Sequence, residues 1–263
     1  MIKNTATMVN ALYSAQRGKT AVQDAGGSCM AVLDVKKNQK NLYSPSDEPH
    51  IISVPSMNFI MIDGSGNPND EEGEYSKAVE ILYALSYTIK MSKKTDMNIP
   101  GYVDFVVPPL EGLWWIGEKD AQTKEFDARQ KNKYNWTSMI RQMEFVTKEV
   151  FLRAAEAAVN KNRKKNPELS ERIEDYLVSG KLRLEMYDEG LCLQCMHKGP
   201  YDDEPATIAK MNSFMKLHPE YKNAIGSNNA QGQILCHHEI YLCDPRKTKP
   251  EAIRTVLRHP VMQ

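Results

Sequence analysis

Residues 181–200 read KLRLEMYDEGLCLQCMHKGP, and this stretch decides the fold. Residues 181–187 and 191–197 alternate apolar and polar side chains with period two, the pattern of half-buried strands. Asp188-Glu189-Gly190 between them has the composition of a tight turn, so the two runs are expected to pair as a hairpin. Lys198-Gly199-Pro200 is a second turn. Beyond it, Ile208, Met211, Phe214 and Met215 fall on one face of a helix over residues 204–217. Two further strands, 234–242 and 252–261, close the chain.

The same order recurs upstream. Residues 36–50 are polar and carry Pro45 and Pro49, an approach segment. Strands are expected at 51–54 and 58–62, separated by Pro55, then a turn-rich loop from Asp63 to Pro68. A helix over 75–91 presents Val79, Leu82, Ser86 and Ile89 on one face, with acidic residues at its start and Lys90 at its end. Residues 102–107, closed by Pro108-Pro109, 113–117 and 134–142 read as strands, with 118–133 as a long hairpin loop. Thr147 is the expected N-cap of a helix reaching about residue 163. Each half runs strands, Gly-containing turn, helix, strands. The expectation is an α+β chain of two pseudo-symmetric β-α-β-β units, an antiparallel sheet with helices on one side and a ligand groove. The first repeat spans about 50–145, a linking helix about 147–165, and the second repeat about 181–263. Residues 1–31, rich in Asn, Ala, Ser, Thr, Gln and Gly, are expected to form a flexible segment ahead of a single domain over 32–263.

Composition narrows the function. Lys plus Arg number 34 and Asp plus Glu 34, so the basic excess of a nucleic-acid binder is missing. The basic run at 161–165 is then a solvated helix end. No apolar run approaches the roughly 20 residues of a membrane span, and the N-terminus lacks an apolar signal core. The 5 cysteines, an odd count, read as reduced thiols of a cytoplasmic protein.

Alternation also sorts the candidate site residues. In the strand after Ile234, His237, Glu239 and Tyr241 share one face, opposite Cys236, His238 and Ile240. If helices cover the apolar face, the His237-Glu239-Tyr241 face is left to line a groove. Trp114 and Trp115 point oppositely, so one of them reaches it. A carboxylate among aromatics can hold a flat cation, with cation–π attraction of about 0.5–2 kcal/mol. Desolvation can instead make it a general acid or base, or it can simply accept hydrogen bonds from neighbouring strands. Cys192-Leu193-Gln194-Cys195 has metal-site spacing, but strand residues three apart face opposite ways, and no metal or other cofactor is expected. Gly64-Ser65-Gly66 lacks the spacing of a nucleotide fingerprint, and the tyrosines of the first helix read as core.

Three strings carry a resemblance: Val107-Pro108-Pro109-Leu110-Glu111-Gly112-Leu113-Trp114-Trp115, Gly199-Pro200-Tyr201-Asp202-Asp203-Glu204-Pro205-Ala206-Thr207, and His238-Glu239-Ile240-Tyr241-Leu242-Cys243-Asp244-Pro245-Arg246-Lys247. Together they resemble the GyrI-like small-molecule-binding family, in its stand-alone bacterial branch, over roughly residues 41–263. The resemblance implies a ligand groove containing Glu239, with Tyr241 beside it; alternation adds His237 to the ligand-binding candidates, and Tyr187 is a further one. Tyr102, Trp114, Trp115 and Trp136 are the aromatic candidates by position. It implies binding of small aromatic molecules, cationic or electrophilic ones among them. The alternative is a hydrolase that opens the strained cyclopropane of DNA-alkylating compounds with water, as some relatives do. In that reading Glu239 pairs with a second carboxylate, Glu185, which shares a strand face with Tyr187. Family members fused to DNA readers are regulators; here residues 1–50 lack two amphipathic helices, so no direct DNA binding is expected, nor any membrane partner. Homodimerisation is left open, and an interaction with gyrase is not expected.

Overall fold

In the computed structural model, which describes residues 32–117 and 132–263, the period-two segments become β1 (His50–Val54), β2 (Met57–Ser65), β3 (Leu110–Ile116), β4 (Tyr134–Arg141), β5 (Leu182–Tyr187), β6 (Gly190–Lys198), β7 (Lys222–Asn223), β8 (His237–Tyr241) and β9 (Arg254–Met262). The helices are α1 (Glu74–Lys90), α2 (Lys148–Asn162), α3 (Pro167–Val178) and α4 (Glu204–Leu217). All strand pairs are antiparallel, in the order β1-β6-β9-β8-β3-β4-β2-β5, with β7 beside β9. The sheet curls into a half-barrel.

This order displays the pseudo-symmetry. β2, β3 and β4 form one half of the sheet, and β6, β8 and β9 the other, meeting where β3 pairs with β8. The first strand of each half crosses over: β1 pairs with β6, and β5 with β2. The hairpin expected around Asp188-Glu189-Gly190 therefore does not form. Glu189 is 3% exposed and bonded to His238, so the segment is a buried crossing rather than a solvent-facing turn.

Several boundaries also differ from expectation. β2 continues through Gly64 and Ser65, and the chain turns only at Gly66. A Cβ on Gly64 would lie 2.3 Å from the Trp136 ring, so glycine is what lets the strand pass beneath the indole. Residues 102–107 are not a strand; Phe105 makes one isolated parallel bridge to Leu33, while Lys90 and Lys93 hold Asp104. β8 begins at His237, because Ile234 is tied back to Asn228. Thr147 caps α2 through the Val150 N–H, as its sequence position requires. The chain then re-enters a helix, α3, signalled by the Asn166 cap and Pro167 at the first helical turn. The approach segment carries two helical turns, Val35–Asn38 and Lys40–Tyr43, with Leu42 and Tyr43 buried. The expectations for residues 1–31 and most of 118–133 fall outside the described residues.

α1 packs on β2 and β4, burying Ala78, Ile81, Leu82, Leu85, Ser86 and Ile89, and α4 packs on β6. The apolar contacts under α4 are Leu193, Cys195, Met211 and Leu257. Cys192 packs in the other apolar cluster, on the far face of β6. Among the described residues, no helix is long and apolar enough to cross a membrane.

Candidate functional site

Register fixes which face each site residue occupies. Glu239 of β8 is opposite Gly112 of β3, Gly112 opposite Ser138 of β4, Ser138 opposite Ile62 of β2, and Ile62 opposite Leu182 of β5. On its other side Glu239 is opposite Leu257, which packs under α4. Glu239 thus projects from the helix-covered face, not the uncovered one that sequence alternation suggested. The apolar carpet of that face is supplied by β2, β4, β6 and β9, and the middle of the face carries the polar group.

The result is a polar chamber built around a buried carboxylate. Glu239 is 6% exposed. Its Oε2 accepts a hydrogen bond from the Tyr241 hydroxyl at 2.7 Å, and its Oε1 lies 3.0 Å from His237 Nε2. Trp114 Nε1 donates in turn to the Tyr241 oxygen at 2.9 Å. Behind His237, its Nδ1 meets His259 Nε2 at 2.8 Å. Burial, then the neighbouring His237, depresses His259 to about 3, so its ring is neutral. Burial raises the Tyr241 phenol well above its usual range and the charge of Glu239 adds to this, so Tyr241 remains a donor. Gly112 makes the approach possible: a Cβ there would meet Trp114 Nε1 at 2.7 Å and the Tyr241 hydroxyl at 3.2 Å.

The starts of the two helices bring further groups to the chamber. Tyr75, in the first turn of α1, lies 5.4 Å from Trp114 and edge-on to Trp136 at 5.1 Å, ring centre to ring centre. Tyr201, just before α4, sits edge-on to Tyr241 at 5.6 Å. Glu204, at the first position of α4, is 2% exposed, and one oxygen of it, one nitrogen of His237 and one oxygen of Glu239 all lie within 4.8 Å of one another. An imidazole and two carboxylates so placed have the donor chemistry to share a cation or a proton.

The sequence candidates divide accordingly. His237, Glu239, Tyr241 and Trp114 meet in the chamber. Trp136 is fully buried beside it, packed on Gly64. Trp115 points to the opposite face. Tyr102 belongs to the far end of α1, where its hydroxyl bonds the Lys90 carbonyl and its ring packs on Phe145. Lys90 is fifteen residues from Tyr75, about 22 Å along a helix. Glu185 and Tyr187 lie out of phase with Leu182 and so face away from Glu239. Tyr75, Tyr201, Glu204 and His259 are the participants that sequence analysis missed. Two of them, Tyr201 and Glu204, stand inside the second string quoted above.

The opposite face holds a buried polar network. His238 bridges Glu189 (2.9 Å) and Glu111 (3.0 Å), and Tyr43 donates to Glu111 at 3.3 Å. Arg258 bonds Gln194 and the Leu42 carbonyl. Burial opposes charge on His238, but the two carboxylates prevail and raise it to about 9. This network fastens the approach segment to the sheet.

The GyrI-like small molecule binding domain matches residues 47–262. An uncharacterized conserved protein from Listeria innocua is 44% identical; the alignment covers 88% of this chain and 100% of that one, with a TM-score of 0.72. A hydrolase from Listeria innocua is 42% identical over the same shares, with a TM-score of 0.68. A comparison with curated proteins returns no match. Family match, register and chamber agree, and the chain belongs to the GyrI-like small molecule binding domain family.

Proposed function

We propose that the chamber around Glu239 binds flat aromatic molecules, cationic ones in preference. The observation that carries this reading is the pairing of a buried carboxylate with a surround of Tyr75, Trp114, Tyr201 and Tyr241. A carboxylate in such a place attracts positive charge, and ring faces add stacking and cation–π attraction. Both Glu239 oxygens are already engaged by side chains, so a cation reaches the carboxylate by displacing the His237 or the Tyr241 contact. The test is titration of ethidium, a flat fluorescent cation, into wild type and Glu239→Gln. Saturable binding weakened tenfold or more by the substitution supports the reading. Equal binding by both proteins refutes it.

A second reading is hydrolysis of reactive electrophiles, favoured by the 42% identical relative described as a hydrolase. For a cyclopropane conjugated to a carbonyl, water adds to a ring carbon and the ring C–C bond breaks. The electron pair moves to the carbonyl oxygen, which takes up a proton, while the attacking water gives one up. Glu239 suits the base role, and Glu204 in the same chamber suits the second carboxylate better than Glu185. Incubation with a cyclopropane-bearing alkylator, followed by mass spectrometry, tests this. A product with one added water, formed by wild type and absent with Glu239→Gln, supports hydrolysis; unchanged compound refutes it.

A further inference from the structure

A cavity of about 380 Å³ opens on the face of the sheet opposite Glu239. Met61, Leu113 and Ile234 line it with apolar surface, Tyr187 with a ring, and Arg183 and Glu185 with charge. Leu113 is opposite His238 and Thr137, one residue out of phase with Gly112, so this cavity and the Glu239 chamber are separated by the sheet itself. Its volume lies in the range of small-molecule sites.

The charges choose the ligand. The Arg183 guanidinium is consumed by the protein: Nε donates to Glu185 at 2.6 Å, Nη1 to Asp63 at 2.8 Å and Nη2 to Asp63 at 3.2 Å. An incoming anion gains no ready donor there. Asp63, beside the lining, joins Glu185 in setting two carboxylates against the one guanidinium, which favours a cation. The other oxygen of Glu185 accepts a hydrogen bond from the Gln233 side-chain amide at 2.7 Å. That amide also bonds the Met186 carbonyl at 2.7 Å, and Asn229 ties the same loop to the Asp188 carbonyl at 2.8 Å. The Gln233 NH₂ therefore occupies the position an ammonium group would take, while the loop itself is held independently by Asn229, which bonds the Asp188 carbonyl and the backbone of Gln231 and Gln233.

We infer that this cavity is a second ligand site, for a small amine with a compact apolar body, its ammonium on Glu185 in place of the Gln233 amide and its body against Met61, Leu113 and Ile234. The inference does not depend on what the Glu239 chamber binds. Glu185 is 37% exposed at its side chain, so the contact is screened and the affinity modest.

The probe is cyclohexylmethylamine, whose puckered ring offers no flat face to the Glu239 chamber, with cyclohexylmethanol as its neutral counterpart, followed by calorimetry. Saturable binding of the amine is expected for wild type and for Glu239→Gln alike. Glu185→Gln, a substitution at a half-exposed position, should weaken it fivefold or more, and the alcohol should bind correspondingly less well. Gln233→Ala, which removes the competing donor, should tighten amine binding severalfold, an effect that mere loosening of the loop does not produce. No saturable binding, equal binding of amine and alcohol, or loss of binding in Glu239→Gln with Glu185→Gln silent each overturns the inference.

Discussion

The side chains of Glu239 and Glu185 project from opposite faces of one sheet: Glu239 is in register with Gly112, Ser138, Ile62 and Leu182, and Glu185 lies three residues beyond Leu182. The two carboxylates share no hydrogen-bond partner, since His237 and Tyr241 serve one, and Arg183 and Gln233 the other. A single acid–base pair cannot be built from them. Independent groups give additive effects, within about 0.5 kcal/mol. The double variant Glu239→Gln/Glu185→Gln should therefore shift the urea midpoint, and ethidium affinity, by the sum of the single shifts. A coupling above about 1 kcal/mol in either measurement contradicts the separation of faces.

Tyr241 is the hinge of the chamber's hydrogen bonds, donating to Glu239 and accepting from Trp114. Tyr241→Phe keeps the ring and removes the oxygen, leaving a buried carboxylate oxygen and an indole N–H without that partner. The expected cost is about 1–3 kcal/mol in unfolding free energy. Trp114→Phe removes the same contact from the other side. The double variant should be less destabilised than the sum of the two singles, because the shared bond is lost only once. Chemical denaturation of the four proteins measures this, and strict additivity would exclude the bond.

What was legible in the sequence was local. Period-two alternation located β2, β4, β6 and β9, and Thr147 announced α2. The resemblance pointed to Glu239 and Tyr241. What was not legible was pairing, because alternation says nothing about partners. Asp188-Glu189-Gly190 has the composition of a hairpin turn, yet Glu189 is fixed in the interior by His238, a residue 49 positions away. The same limit misassigned the covered face: β8 alone shows two faces of mixed polarity, and only its register with β3 and β9 reveals which lies under the helices. Gly64 read as a loop residue because its reason, the Trp136 indole, lies on another strand. Tyr75 read as core because helical periodicity cannot distinguish a ring against a carboxylate from one against leucine.

Gly64 offers a direct test of that close approach. Gly64→Ala places a methyl group 2.3–2.9 Å from three carbons of the buried Trp136 ring. The indole is fully buried and has little room to withdraw, so destabilisation of about 1–3 kcal/mol or more is expected. Trp136→Phe, costly alone, should recover part of that loss when combined with Gly64→Ala. Thermal unfolding of the single and double variants decides it; an unperturbed Gly64→Ala protein would contradict the packing.

Two histidines on opposite faces set the pH dependence of stability. His238 titrates near 6.5 in the unfolded chain and at about 9 when folded between Glu189 and Glu111. Between these values the folded state holds a proton that the unfolded state has lost. Its stabilisation is complete below pH 6.5 and drains away as pH rises towards 9. His259 goes the other way, from 6.5 unfolded to about 3 folded. Below pH 6.5 the unfolded state takes up a proton that the folded state refuses, so stability falls as pH drops. Each group contributes a slope of up to about 1.4 kcal/mol per pH unit in its window. Unfolding free energy should therefore peak near pH 6.5. Cysteine ionisation in the unfolded chain enters only above about pH 8.5, and ordinary carboxylates below about 4.5, which leaves both limbs readable. His259→Gln should flatten the limb between pH 4.5 and 6.5, and His238→Gln the limb between 6.5 and 8.5. Urea unfolding at half-unit intervals measures both slopes. Should His238→Gln fail to fold, NMR titration of the His238 ring in wild type gives the same answer: a midpoint near 9 supports the assignment, and one near 6.5 removes the alkaline limb.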